Sequence, residues 1–173
     1  MKTLPQLCVA FAAVALTACG FHPLYGSGRT AGALQGTFAQ IYVEPVYDMS
    51  VANTGYDLRN RVIDTLGASS GAAQYHLKLT LSTTSQGIAL QNDASITRYN
   101  DTVTVTYSLV DTASGKEVTK GTETGLSAYN VVQSPYSTLI AQQDSDRRVA
   151  EDIAERIRLD LGVYFDRQRA GVR

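Results

Sequence analysis

The sequence predicts an α+β fold, a two-layer sandwich in which a four-stranded sheet, β-α-β-β-β-α along the chain, is covered on one face by two helices. Three patterns carry this. Tyr75, Leu77, Leu79 and Leu81 alternate with His76, Lys78, Thr80 and Ser82. Val103, Val105, Tyr107 and Leu109 alternate in the same way with Thr102, Thr104, Thr106 and Ser108. A period of two puts every apolar side chain on one face of a strand. Further on, Val149, Ile153, Ile157 and Leu161 recur along one stripe of a helix. Strands with one dry face and helices with one dry stripe satisfy each other by stacking, which leaves the opposite face of the sheet polar and wet.

The chain opens with Lys2 and an apolar run from Leu7 to Leu16, the length of a signal-peptide core and too short to span a bilayer. Leu16-Thr17-Ala18-Cys19 follows, small residues ahead of a cysteine, which fits a lipoprotein processing site. Residues 1–18 are then a signal peptide that is removed, and Cys19 becomes an N-terminus carrying diacylglycerol and an N-acyl chain. Each buried acyl CH2 contributes about 0.8 kcal/mol, so several chains hold a domain firmly at a membrane surface. The plainer alternative, an ordinary signal-peptide cut at Thr17-Ala18, leaves an unmodified Cys19 as an exposed thiol in an oxidising compartment. Residues 19–36 form the anchor and a flexible tether, since Ser27 to Gly36 is mostly Gly, Ser, Ala and Thr with no usable period.

The domain proper is expected at 37–162. Phe38 to Val43 reads as a first strand, ended by Glu44-Pro45 at a sheet edge. Asn53 caps a first helix at 54–66, with Leu58, Val62 and Leu66 on its stripe, Asp57 paired with Arg61, and Gly67 as its stop. The two alternating strands follow. Between them, Gly87 and the Gln91-Asn92-Asp93 turn leave two possibilities: a long hairpin projecting beyond the helices, or strands that stop near Ser85 and Asp101 with the loop packed down. In the projecting form Leu90, Asn92 and Ile96 sit at a tip with no core beneath them and are the candidate partner contacts.

Lys116 to Asn130 is a fourth, more polar strand, with Gly121 and Gly125 read as bulges. Ser134-Pro135-Tyr136 breaks the pattern, and a second helix is expected at about 141–161. Its wet face pairs Asp144 with Arg148, Asp152 with Arg156 and Glu155 with Arg158. Gly162 reads as its end, and 163–173, with Arg167, Arg169 and Arg173, as a frayed basic tail.

Bulk properties exclude several classes. Removing 18 of 173 residues leaves 155, enough for one domain. Cys8 leaves with the signal and Cys19 is consumed by lipid, so no disulfide framework is available. The formal charge of -1 falls to -2 without Lys2, which gives no general attraction to nucleic acid. His22 and His76 lie in different segments with no metal-ligand spacing, and no nucleophile elbow or phosphate loop appears. The expectation is a protein with no catalytic residue, no metal and no cofactor beyond its covalent lipid.

Cys19-Gly20-Phe21-His22-Pro23-Leu24-Tyr25-Gly26, with Ser134-Pro135-Tyr136-Ser137 and the run from Asp144 to Ala154, resembles the lipopolysaccharide-assembly lipoprotein family in its alphaproteobacterial branch. The resemblance implies a lipoprotein on the periplasmic side of the outer membrane, in a one-to-one complex with a very large β-barrel. There it acts as a plug and helps deliver lipopolysaccharide to the cell surface. It also implies lipopolysaccharide binding through basic residues on the sheet, for which Lys78 and Arg98 are the candidates here. The competing reading is an auxiliary lipoprotein of an ABC-type envelope lipid-transport system, which joins the same kind of anchor to a small α+β domain.

Overall fold

The computed structural model describes residues 29–46, 52–68, 73–90 and 96–171. The elements run α1 (Arg29–Phe38), β1 (Ile41–Val43), α2 (Ala52–Leu66), β2 (Tyr75–Leu90), β3 (Ile96–Asp111), β4 (Glu117–Asn130) and α3 (Pro135–Arg169). The sheet order is β1-β2-β3-β4, with β1 parallel to β2 and the other two pairings antiparallel. This is the expected α+β layout, with one helix more among the described residues than the sequence suggested.

The core lies where the alternation placed it. Leu77, Leu79, Leu81, Val103, Val105, Tyr107 and Leu109 are buried on one sheet face against Leu58, Val62 and Leu66 of α2 and Val149, Ile153, Ile157 and Leu161 of α3. Full burial of each Leu or Ile side chain contributes roughly 1.5–3 kcal/mol, so this interface dominates the stability of the domain. At the end of α2, Gly67 adopts φ 64°. Its amide donates to the Asp64 carbonyl while the Ala68 amide donates to the Ile63 carbonyl, the paired closure of a Schellman cap.

Four expectations are corrected. Phe38 ends a helix instead of starting a strand: Leu34 and Phe38, four apart on α1, are both buried, and the Phe38 ring meets Phe165 edge-on at 6.2 Å. The stretch read as tether is therefore helical from Arg29 onward. Helix α3 begins at Pro135, where Ser134 is the N-cap and Pro, whose missing N–H costs nothing in a first turn, opens the helix. It also runs through Gly162 to Arg169. Leu161 and Phe165 continue the buried stripe, and burying a phenylalanine outweighs the ~1 kcal/mol that a helical glycine costs. The residues read as a frayed tail are thus largely helical, and Arg169 Nη2 donates to Thr37 Oγ1 at 3.0 Å.

Gly121 and Gly125 are not bulges either, because the β3–β4 register is unbroken from Arg98↔Asn130 to Leu109↔Thr119. They are places of close approach. A Cβ on Gly125 would meet Val149 Cγ2 at 2.5 Å and Ile153 Cδ1 at 3.2 Å, so the missing side chain lets α3 settle onto the strand.

Both outer strands have backbone groups occupied by helix side chains. Arg59 Nε donates to the Val43 carbonyl at 3.1 Å, and Arg156 Nη1 donates to the Thr124 carbonyl at 2.9 Å. Ser145 Oγ accepts from the Ala128 amide at 2.9 Å and donates to the Ala128 carbonyl at 3.1 Å. These contacts blunt the edges at β1 and β4.

Candidate functional site

β2 and β3 pair continuously from Tyr75↔Asp111 to Gly87↔Tyr99 and, after two register shifts around Ala89, close at Leu90↔Ile96. The hairpin is therefore the long form, and the alternative of strands ending near Ser85 and Asp101 is excluded. Every residue from Ser82 to Ile88 is exposed, so neither face of this part of β2 is covered by a helix. β4 accompanies the hairpin on the other side as far as Asn130, where Tyr99 and Tyr129 stack with ring centroids 5.7 Å apart.

Leu90 and Ile96 are backbone partners at the far end of this ribbon, while Asn92 lies outside the described residues, as does Cys19. Sequence reasoning passed over Ile88, an apolar side chain on the hairpin that is 48% exposed. The signal was present in Ile88-Ala89-Leu90, an apolar run that resumes after the polar stretch Ser82 to Gln86, beyond the last core position.

The two candidate cations do not converge. Lys78 pairs with Ser108, ten residues along β3 from Arg98, which at 3.4 Å per residue is roughly 34 Å. Arg98 instead donates to Asn130 Oδ1 at 3.4 Å and lines a groove of 390 Å³ shared with Val132, Ala141, Asp144 and Arg148. Arg148 makes the expected pair with Asp144 at 2.6 Å, and does so on the wall of this groove. The same turns of α3 leave Tyr136, Leu139 and Ile140 exposed beside the half-exposed Val132. Two arginines beside an apolar ledge make an amphipathic surface, the arrangement that suits a ligand with anionic and apolar parts.

Beneath the base of the hairpin lies a polar patch that the alternation hid. Asp101 is 4% exposed on the core side of β3 and accepts from Ser85 Oγ. Ser127 Oγ donates to Ser145 Oγ at 2.7 Å and lies 3.3 Å from Asp146 Oδ1. Burial pushes the Asp146 carboxyl above its ordinary range, and the neighbouring Asp101 and Asp57 charges add to this. Further along, Tyr107 Oη donates to Asp160 Oδ2 at 2.9 Å, and burial together with Asp160 raises Glu123. His76 is half-exposed with Nδ1 3.2 Å from Glu44 Oε1, and its ring lies against Tyr42. The anticipated Asp57–Arg61 pair gives way to Arg61–Glu151 at 3.1 Å, which ties α2 to α3.

Among the described residues, no group of three or more His, Cys, Asp or Glu could hold a metal ion, and no helix is long and apolar enough to cross a membrane. Two surface features of the described residues are the uncovered hairpin and the arginine groove.

A family model described as lipopolysaccharide-assembly, LptE, matches residues 38–161. The chain belongs to the LptE family. That span runs from the end of α1 to the Leu161 turn of α3, so the match and the folded sandwich nearly coincide. An uncharacterized protein of Rickettsia prowazekii (strain Madrid E) is 28% identical over 128 residues, covering 74% of this chain and 78% of that protein. A crystal structure from Caulobacter crescentus CB15, described as that of a lipoprotein, is 27% identical, with a TM-score of 0.66 over 79% of this chain and 97% of that one. The rare lipoprotein B of Shewanella oneidensis shares the fold at 14% identity, with a TM-score of 0.54 over 75% of this chain and 97% of that one.

Proposed function

We propose that this member of the LptE family is an outer-membrane lipoprotein, held on the periplasmic side by lipid on Cys19, that plugs a large β-barrel and helps it deliver lipopolysaccharide to the cell surface. The observation that carries the reading is the hairpin, whose stretch from Ser82 to Ile88 is exposed on both faces. A stretch of β2 that buries none of its own side chains is explained by a wall outside it. A barrel lumen offers such a wall, and 155 residues imply a radius of gyration of about 15 Å, which only barrels of high strand number admit.

In this reading the role is positional and non-catalytic. Partner contact falls to Ile88, Leu90, Asn92 and Ile96. Lipopolysaccharide, where it is bound directly, meets the groove of Arg98 and Arg148, with Lys78 too far away to share the same headgroup. The test is affinity capture of the tagged, lipidated protein from detergent-solubilised membranes. A large β-barrel recovered in equal amount supports the proposal; ABC-transporter components in its place support the auxiliary-lipoprotein alternative; neither overturns both.

A further inference from the structure

The sheet has an unequal treatment of its edges. At β1 and β4, Val43, Thr124 and Ala128 have outward backbone groups taken up by Arg59, Arg156 and Ser145. Among the described residues β2 is also an edge for most of its length, because β1 pairs only with Tyr75, His76 and Leu77. The Leu77 carbonyl accepts from the Glu44 amide and the Tyr75 amide donates to the Gln40 carbonyl, so odd-numbered residues of β2 point their backbone groups away from β3. The unbroken register to Gly87 carries that parity through Leu79, Leu81, Thr83, Ser85 and Gly87. Among the described residues no side chain or strand meets the outward N–H and C=O groups of these positions.

The usual protections of an edge are missing from this stretch as well: it holds no proline and no charge, and its first register shift comes only after Gly87. Thr80, Ser82, Thr84 and Gln86 flank it on one face and Thr83 and Ser85 on the other. A row of alternating amides and carbonyls at strand spacing is complementary to another extended backbone, and flanking Thr and Ser suit cross-strand partners that are themselves uncharged.

A second copy of this chain fits poorly as that backbone. Antiparallel pairing of Leu79–Gly87 with itself, centred on Thr83, brings Ala89 and Leu90 of the copy opposite Leu77 and His76, where β1 already sits. Shifting the register away from β1 shortens the pairing. We infer that the β2 edge from Leu79 to Gly87 takes an extended, uncharged segment of the partner barrel as a fifth strand of the sheet. This rests on the barrel reading above and adds to it the surface and the mode of contact.

The test uses the full lipidated chain co-expressed with the barrel. Thr83→Pro removes an outward N–H, a position at which a strand edge tolerates proline, whereas Thr84→Pro removes an N–H that pairs with β3. Thr83→Pro is expected to keep the circular dichroism and melting temperature of the domain and to lower the recovered barrel about tenfold, the effect of losing one or two backbone hydrogen bonds and adding a ring clash. Thr84→Pro should lower the melting temperature itself. Independently of any variant, the Leu81, Thr83 and Ser85 amides should exchange quickly in the isolated domain and become protected in the complex.

Unchanged barrel recovery by a folded Thr83→Pro protein, or the same amides still exchanging in the complex, would overturn the fifth strand and leave the barrel reading standing. Failure of the wild-type chain to recover any barrel would overturn both. An isolated domain that dimerises, and becomes monomeric on Thr83→Pro, would assign the edge to a second copy and overturn the inference.

Discussion

The Tyr107 hydroxyl lies where a Cβ on Gly121 would stand, directly across the β3–β4 ladder. With no side chain in the way, the phenol crosses β4 and donates to Asp160 on α3 at 2.9 Å, joining strand, edge and helix through one side chain. Gly121→Ala should therefore displace the ring and break the Tyr107–Asp160 bond, at a cost of about 1–3 kcal/mol. Chemical denaturation measures this; a loss below ~0.5 kcal/mol would mean that the ring finds another path at little cost.

Phe165→Ala examines the extension of α3 beyond Gly162. The Phe165 ring meets Phe38, Tyr75 and Tyr164 at centroid distances of 6.2, 5.3 and 5.1 Å. Truncation should cost roughly 3–5 kcal/mol, whereas a residue in a frayed tail would cost almost nothing. Ile153→Asp, at a fully buried position facing Gly125, should prevent stable folding, since burying an unpaired charge exceeds what a domain of this size holds in reserve.

Stability should change with pH in two opposed windows. Burial raises Asp146 and Glu123, so the folded state holds their protons more tightly than the unfolded chain does, and stability falls as pH rises from the ordinary carboxylate value through their raised ones. Asp111 and Glu117 act oppositely: hydrogen bonds from Ser114 and Ser108 lower them, and their contribution is lost as pH falls through those lowered values. Thermal melting should show its optimum between the windows, in mild acid. Asp146→Asn should flatten the decline on the alkaline side; an unchanged slope would remove Asp146 as a cause.

Cys19→Ala should leave the circular dichroism of the domain unaltered while moving the protein from the membrane to the soluble fraction. The contribution of α1 to the core comes from Leu34 and Phe38, well beyond the anchor. Loss of the far-ultraviolet signal would refute this.

The sandwich could be read from the chain because its strands obey a strict period of two, and Leu77 to Leu81 and Val103 to Leu109 are buried as their spacing demanded. What escaped was decided by tertiary contact. Phe38 and Phe165 carry no local sign that they meet, yet their packing makes one segment helical and prolongs another past a glycine. Gly121 and Gly125 have the composition of bulges but serve as clearances, a distinction fixed by Tyr107, Val149 and Ile153 from elsewhere in the chain. At the candidate site, the turn at Gln91-Asn92-Asp93 pointed to a hairpin but left its length open, and the continuous β2–β3 pairing decides for the long form. The groove did not, because Arg98 and Arg148 are brought together only by the docking of α3 beside β4.

The most direct measurement is photocrosslinking in living cells from position 88, where Ile88 is replaced by a photoreactive residue on the uncovered part of the hairpin. The expected result is one high-mass adduct containing a large outer-membrane β-barrel. It should form only on illumination and diminish when that barrel is depleted. A protein made at the wild-type level that yields no such adduct, or that crosslinks only to transporter components of the envelope, would contradict the placement of this domain inside a barrel.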